Sequence, residues 1–265
     1  MSSVDRPSPS PSPPPVKRFT DSKAHLRAMG VVARKQWGQN FLIQPGVAER
    51  LVASWDLRPG SGVFEIGAGA GALTARLLAQ GARVWAIERD PRLCGLLRDR
   101  FACEIGDGQL ALIEADVLAL TASDLEVAGA GRPVLVGNLP YAITTPIIEW
   151  TIRHAKRFIW CSFMVQREYG HRLVATAGSR AYGSLTLWAG YRFRVEKEMA
   201  VGASCFWPMP KVESVVVRLT PWERPPVEVP SAADYERVVR AAFAHRRKML
   251  AGALAHALDL SRDAV

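Results

Sequence analysis

Gly62-Val63-Phe64-Glu65-Ile66-Gly67-Ala68-Gly69-Ala70-Gly71 is the run on which the fold turns. A short apolar strand ends in a glycine-rich turn, and helix-forming Ala72-Leu73-Thr74-Ala75-Arg76-Leu77-Leu78 follows at once. Alternate glycines suit a strand-to-helix turn, because they reach backbone conformations that side chains resist. Outward from there, short apolar strands are expected at residues 62–66, 83–88, 111–114, 133–137 and 158–165, with helices at 72–80, 91–101 and 145–154. Strand–helix repetition at this spacing predicts an α/β fold with a doubly wound, Rossmann-like parallel sheet. Residues 184–194 and 212–219 read as two further strands closing that sheet with an antiparallel edge, the first followed by a Glu/Lys patch. N-terminal to the sheet, helices are expected from about residue 21 to Gly30 and over 46–55. Beyond the Pro-rich linker 221–230 the pattern turns helical at 233–244 and 246–258.

The turn also reads as a cofactor site. Glu88 ends the next strand, 21 residues after Gly67, where the Rossmann plan places a carboxylate on a ribose diol. The spacing G-x-G-x-G departs from the dinucleotide fingerprint, and Glu65 beside the turn would repel a pyrophosphate. A carboxylate there suits a cofactor carrying an ammonium and a sulfonium, a description that S-adenosylmethionine meets. Asp116 ends the third strand and is placed for an adenine amino group; the competing reading is a helix N-cap.

Asn138-Leu139-Pro140-Tyr141 follows the apolar run Val134-Leu135-Val136-Gly137, so it sits at a strand's carboxyl end, where open α/β sheets bind ligands. An Asn side chain and the backbone carbonyl after it hold both hydrogens of an exocyclic amino group. Pro140 stiffens the turn, and Tyr141 offers a flat face to an unstacked base. The chain has only two asparagines, Asn138 and Asn40, and both lie in such motifs. Phe206 is a candidate second face for the base, with a core aromatic as the alternative.

Charge and composition bound the partners. Residues 1–42 carry seven Lys/Arg against two acids, residues 43–150 nine against thirteen, and residues 151–265 eighteen against ten. The net charges of +5, −4 and +8 describe an acidic centre flanked by basic ends, as for a polyanion gripped from two sides. No apolar run approaches the roughly 18 residues of a membrane helix. The four cysteines contain no C-x-x-C pair and the five histidines lack ligand spacing, so no metal is assigned. Residues 1–20 form a Ser/Pro-rich tail expected to be disordered, residues 21–221 a catalytic domain, and residues 231–265 a small helical appendage opened by Arg246, Arg247 and Lys248.

Taken together, the motifs resemble those of the rRNA adenine N6-dimethyltransferases, the 16S dimethyladenosine transferases and their macrolide-resistance 23S relatives. The resemblance is carried by Gly38-Gln39-Asn40-Phe41-Leu42, the Glu65–Thr74 run and Asn138-Leu139-Pro140-Tyr141-x-Ile143-x-Thr145-Pro146. It continues through Gln166-x-Glu168, Arg172-Leu173-Val174-Ala175, Ala181-Tyr182-Gly183, Phe206-x-Pro208-x-Pro210-Lys211-Val212-x-Ser214 and Phe243-x-x-Arg246-Arg247-Lys248. It implies cofactor contacts at Asn40, Leu42, Gly67, Glu88, Asp116 and Asn138. The chemistry of the residues themselves places catalysis at Asn138, Leu139, Pro140 and Tyr141 and base contacts at Tyr141 and Phe206, and the +8 charge of the C-terminal part places RNA contacts at Arg246, Arg247 and Lys248. Ala181-Tyr182-Gly183 and Pro210–Ser214 favour the 16S branch, whose members dimethylate two adjacent adenines near the 3′ end of 16S rRNA during subunit maturation. A cytoplasmic monomer acting on rRNA within a pre-assembled small subunit, with no membrane, is the expectation. Three departures stand out: Ala68 replaces the usual Pro, the Ser/Pro tail is atypical, and the C-terminal helical part reads short. The rival readings are a 23S rRNA adenine methyltransferase, another amino methylase acting on DNA or protein, and a non-catalytic RNA- or DNA-binding descendant of the fold. The acidic strand ends argue against the last, since a binding module has no need of them.

Overall fold

The computed structural model describes residues 22–34, 37–126, 131–244, 249–259 and 261. The expected tail over residues 1–20 lies outside the described residues. In chain order the elements begin with α1 (Lys23–Ala28), β1 (Phe41–Leu42), α2 (Pro45–Ser54), β2 (Gly62–Ile66), α3 (Ala72–Ala79), β3 (Arg83–Glu88), α4 (Pro91–Arg100) and α5 (Ala102–Gly106). They continue with β4 (Leu110–Glu114), β5 (Val134–Asn138), α6 (Thr144–Arg153), β6 (Cys161–Gln166), α7 (Arg167–Leu173), α8 (Ser184–Arg192), β7 (Phe193–Val201), β8 (Phe206–Trp207), β9 (Ser214–Pro221), α9 (Ala232–Phe243) and α10 (Leu250–Leu258).

One seven-stranded sheet runs β4-β3-β2-β5-β6-β9-β7. The first five strands are mutually parallel, and β9 and β7 add an antiparallel edge. The central strand β2 is buried at every position and apolar except for Glu65, because helices cover both faces of a parallel sheet. From β2 the chain winds outward to β3 and β4, then returns to β5 on the other side. The crevice between the ends of β2 and β5 is therefore the topological switch point, where such sheets take ligands. Gly137 of β5 is required there: a Cβ on it would lie 2.5 Å from the Ile66 carbonyl oxygen of β2.

Residues 184–194, expected as a strand, are instead the helix α8 followed by the start of β7. Thr, Trp and Tyr gave the segment a strand-like composition, but Leu185, Trp188 and Ala189 recur at helical spacing and are all buried. The Gly183 N–H donates to Thr186 Oγ1 at 3.2 Å, which starts the helix. The Glu/Lys patch lies within β7 rather than after it, and its exposed charges suit a sheet edge. The strand expected at 158–165 begins only at Cys161, after a 3-10 turn over Ala155–Arg157.

Three apolar clusters organise the packing. Two fill the opposite faces of the sheet. The third gathers Leu26 of α1 with Val31, Phe41, Ala70 and Leu93, and so lays the N-terminal segment over the glycine turn. At the other end, α9 is fastened to the sheet's helices. Tyr235 stacks on Tyr191 at 4.3 Å, and Arg240 pairs with Glu149 of α6 at 2.9 Å. No helix among the described residues is long and apolar enough to cross a membrane.

Gly137→Ala is expected to force β2 and β5 apart. Overpacking of this kind costs about 1–3 kcal/mol, so the melting temperature should fall by roughly 5 °C. A circular-dichroism melt superimposable on the wild type would show that the two strands are not so closely apposed.

Candidate functional site

Four strand ends supply the polar floor of a single pocket. Glu65 comes from β2, Glu88 from β3, Asp116 from the turn after β4 and Asn138 from β5. All four line it together with Asn40, Leu42 and Gly67, so every residue expected to hold the cofactor meets in one place. Most of the remaining wall is apolar, among it Ile66, Ile87 and Val117, with Arg89 adding a charged group. The roof is the N-terminal segment: Leu26, Trp37, Gln39, Asn40, Phe41 and Leu42 all face the pocket.

The glycine turn shapes one side. Gly67 and Gly69 have φ of 69° and 61°, a left-handed conformation that side chains resist. The Gly69 N–H donates to Glu88 Oε2 at 2.9 Å, while Glu88 Oε1 accepts the N–H groups of Arg89 and Asp90, each at 2.9 Å. Glu88 therefore ties the turn to the end of β3. Burial raises its pKa, and the three N–H donors oppose that shift. A carboxylate oxygen accepts two hydrogen bonds, so Oε2 retains room for one more donor, such as a ribose hydroxyl.

Glu65 is deeper. It is 1% exposed, and Thr74 Oγ1 donates to its Oε2 at 2.6 Å. Burial pushes its pKa up to about 8, only partly offset by the Thr74 hydroxyl. Asp116 has both oxygens engaged. Oδ1 accepts the Leu118 N–H at 3.0 Å and caps a 3-10 turn over Val117–Ala119, while Oδ2 pairs with Arg89 Nη1 at 2.9 Å. The capping position and the pocket-wall position thus coincide in one residue.

At the switch point the two asparagines meet. Asn138 Nδ2 donates to the Asn40 backbone carbonyl at 2.8 Å, and Asn40 Nδ2 donates to the Gly38 carbonyl at 3.1 Å. A carbonyl only accepts, so this bond orients the Asn138 amide and leaves Oδ1 as its unbound acceptor. Gly38, with φ of 64°, sits against the next turn, where a Cβ would lie 2.8 Å from the Ala142 nitrogen. The Pro140 carbonyl already accepts the Ile143 N–H and the Thr144 hydroxyl, both at 3.1 Å.

Tyr141 lies beside the pocket rather than in its wall, with its hydroxyl 2.6 Å from Ser214 Oγ at the start of β9. Burial raises the Tyr141 pKa. Phe206, offered as a second face for the base with a core aromatic as the alternative, is 2% exposed, paired with Leu42 across β1 and β8, and packed in the same apolar cluster as Val63 and Leu73. The ordinary core reading of that aromatic is the one realised. Arg246, Arg247 and Lys248, expected to bind substrate, lie outside the described residues. Sequence reasoning did not single out Trp37, Arg89 or Ser214. Ser214 lies in the motif that begins at Phe206, but nothing in the sequence pairs it with Tyr141.

Comparison with known proteins gives a concordant picture. The sequence model of the family described as "Ribosomal RNA adenine dimethylase" matches residues 30–262. The chain is 42% identical over 222 residues to ribosomal RNA small subunit methyltransferase A of Pseudomonas aeruginosa, covering 84% of this chain and 81% of that one. It is likewise 42% identical to the protein of the same name from Hahella chejuensis, covering 87% and 83%. Among solved structures, a dimethyladenosine transferase from Plasmodium falciparum superposes with a TM-score of 0.66 at 29% identity, over 79% of this chain and 73% of that one. The 23S rRNA methyltransferase ErmE gives 0.65 at 28% identity, over 82% and 84%.

The Glu65 carboxyl dictates a pH dependence. Its pKa rises from an ordinary 4.5 to about 8 on folding, so between those values the folded protein holds a proton that the unfolded chain has lost. The Glu65 contribution to the stability of the ligand-free protein should therefore fall as pH rises from about 5 to about 8 and level off above. Urea melts across that range should show a shallower decline in Glu65→Gln; identical slopes would mean that Glu65 is ionised in the folded protein.

Proposed function

The chain belongs to the ribosomal RNA adenine dimethylase family, and from that premise we propose that it dimethylates two adjacent adenines near the 3′ end of small-subunit rRNA. As a member of the family it is an S-adenosylmethionine-dependent rRNA methyltransferase. We take the substrate to be rRNA within a pre-assembled small subunit, and the enzyme to be a cytoplasmic monomer. The small-subunit assignment is supported by two relatives at 42% identity that carry that name.

The pocket suits the cofactor chemically. Glycines leave room beside the turn, strand-end carboxylates are available to an ammonium, a ribose diol and an adenine amino group, and an apolar wall surrounds them. Asn40, Leu42, Gly67, Glu88 and Asp116 would hold it, with Asn138 at the reacting end. When bound, its sulfonium supplies an activated methyl group.

The adenine N6 lone pair is delocalised into the ring and is a poor nucleophile until the amino group is made pyramidal. Asn138 Oδ1, oriented by the Asn40 carbonyl, accepts one N6 hydrogen. The Pro140 carbonyl is occupied twice over, so the Leu139 carbonyl is the acceptor for the second. Pro140 fixes the turn between them, and Tyr141, anchored at its hydroxyl, presents its ring to the flipped base. No strong base is needed: as the nitrogen–methyl bond replaced the sulfur–methyl bond, N6 would become cationic and shed one proton to solvent along its hydrogen bonds, so catalysis is mainly positioning and electrostatics. The single observation carrying this reading is the Asn138–Asn40 hydrogen bond at 2.8 Å, which aims the amide oxygen.

Asn138→Ala should keep the dissociation constant for cofactor within a few-fold while methyl transfer falls by about a hundredfold or more. Unchanged turnover would end the proposed chemistry. Primer extension on rRNA from a deletion strain should lose paired stops near the 3′ end of small-subunit rRNA; lost stops in large-subunit rRNA would transfer the activity there. Replacing Arg246, Arg247 and Lys248 together by Ala should leave cofactor binding intact. The slope of log affinity for rRNA against log salt should then flatten by about 2–3 units. An unchanged slope would move the RNA contacts elsewhere.

A further inference from the structure

Trp37 and Arg89 are in the pocket wall without a role in the chemistry above. Arg89 follows Glu88, the carboxylate assigned to the ribose, and its side chain reaches Asp116, assigned to the purine amino group. Its Nη1 donates to Asp116 Oδ2 at 2.9 Å, and its guanidinium carbon lies 5.0 Å from the centre of the Trp37 ring. The guanidinium carbon of Arg34 lies 4.4 Å from the same ring. The Arg34 backbone N–H donates to Gln39 Oε1 at 2.8 Å, and Arg34 Nε approaches Asp90 at 4.0 Å. Trp37 is thus held in the roof by groups on both the N-terminal segment and the end of β3.

The plain reading is a surface ion pair with incidental stacking. The side chains of Arg89 and Asp116 are 50% and 33% exposed, so the pair contributes little to stability. A pair with little stability value, lining the pocket and stacked on an aromatic ring, is better placed to orient a carboxylate. The Leu118 N–H fixes one oxygen of Asp116, and without Arg89 the other is left to solvent. Stacking on Trp37 restricts the planar guanidinium, so the ion pair holds one geometry instead of sampling many.

We propose that Arg89 and Trp37 are positioning residues that hold Asp116 toward the cofactor's 6-amino group and so set selectivity for adenine over a 6-keto purine. This rests on the reading that the purine lies against Asp116. An amino group donates to the oriented carboxylate, whereas a keto oxygen in the same place meets it acceptor to acceptor. Selectivity then depends on how firmly the carboxylate is held.

The test is calorimetric binding of S-adenosylhomocysteine and S-inosylhomocysteine, which read the purine edge without turnover. Arg89→Leu should weaken the adenosyl ligand by about tenfold and the inosyl ligand by less than about twofold. Arg89→Lys, which keeps the charge but loses the planar fork, should fall between. Trp37→Leu should shift selectivity in the same direction, and the double variant Arg89→Leu/Trp37→Leu should be little worse than either single change, because the two act as one unit. Arg98→Leu is the matched control: it breaks a similarly exposed pair with Glu114 at 2.6 Å, away from the pocket wall, and should change neither constant. Equal weakening of both ligands by Arg89→Leu, or none, would overturn the positioning role. The underlying placement is tested separately by Asp116→Asn. A wild-type selectivity ratio there puts the purine elsewhere and sinks both ideas, whereas a ratio that responds to Asp116 but not to Arg89 sinks only the second.

Discussion

A hydrogen bond from Asn138 Nδ2 to the Asn40 carbonyl joins the roof of this site to its floor. Asn138 ends the strand on one side of the switch point, and Asn40 belongs to the segment that roofs the pocket. The bond decides which end of the Asn138 amide faces outward, because a carbonyl accepts and never donates. It also requires the roof to lie close, which explains the glycine at position 38: a Cβ there would meet the Ala142 backbone at 2.8 Å. The same closeness recurs one residue back on β5, where Gly137 approaches the Ile66 carbonyl of β2. Roof, turn and strands are thus packed at backbone distance around Asn138, an arrangement that suits chemistry based on positioning.

The electrostatics follow from burial. Three carboxylates converge at the strand ends, and desolvation raises the pKa of Glu65 and Glu88. Backbone N–H groups and the Thr74 hydroxyl offset this in part, keeping the carboxylates oriented at some cost to the fold. A cationic ligand relieves the imbalance, since an ammonium near Glu65 favours its ionised form.

Much of this was legible in the sequence. The strand–helix alternation, the glycine turn and the acidic strand ends each rest on local rules, and the structure places the expected cofactor contacts in one pocket. The misreadings have identifiable causes. Residues 184–192 have strand-like composition but pack at helical spacing against α6 and α7, which only tertiary context reveals. For Phe206 the sequence leaves a base face and a core aromatic open, and pairing with Leu42 buries it. The contacts Asn138–Asn40, Tyr141–Ser214 and Arg89–Asp116 span 98, 73 and 27 residues, distances over which no local pattern pairs side chains. That both asparagines fall in motifs was visible; that they touch was not.

Having only two asparagines makes the central contact directly observable. Selective ¹⁵N labelling of asparagine gives two side-chain amide pairs, and hydrogen exchange of each can be followed separately. If the Asn138 amide is held against the Asn40 carbonyl, its donated proton exchanges far more slowly than that of an exposed asparagine amide. Exchange of both Asn138 protons at the rate of a solvent-exposed amide would contradict the orientation from which the catalytic role is derived.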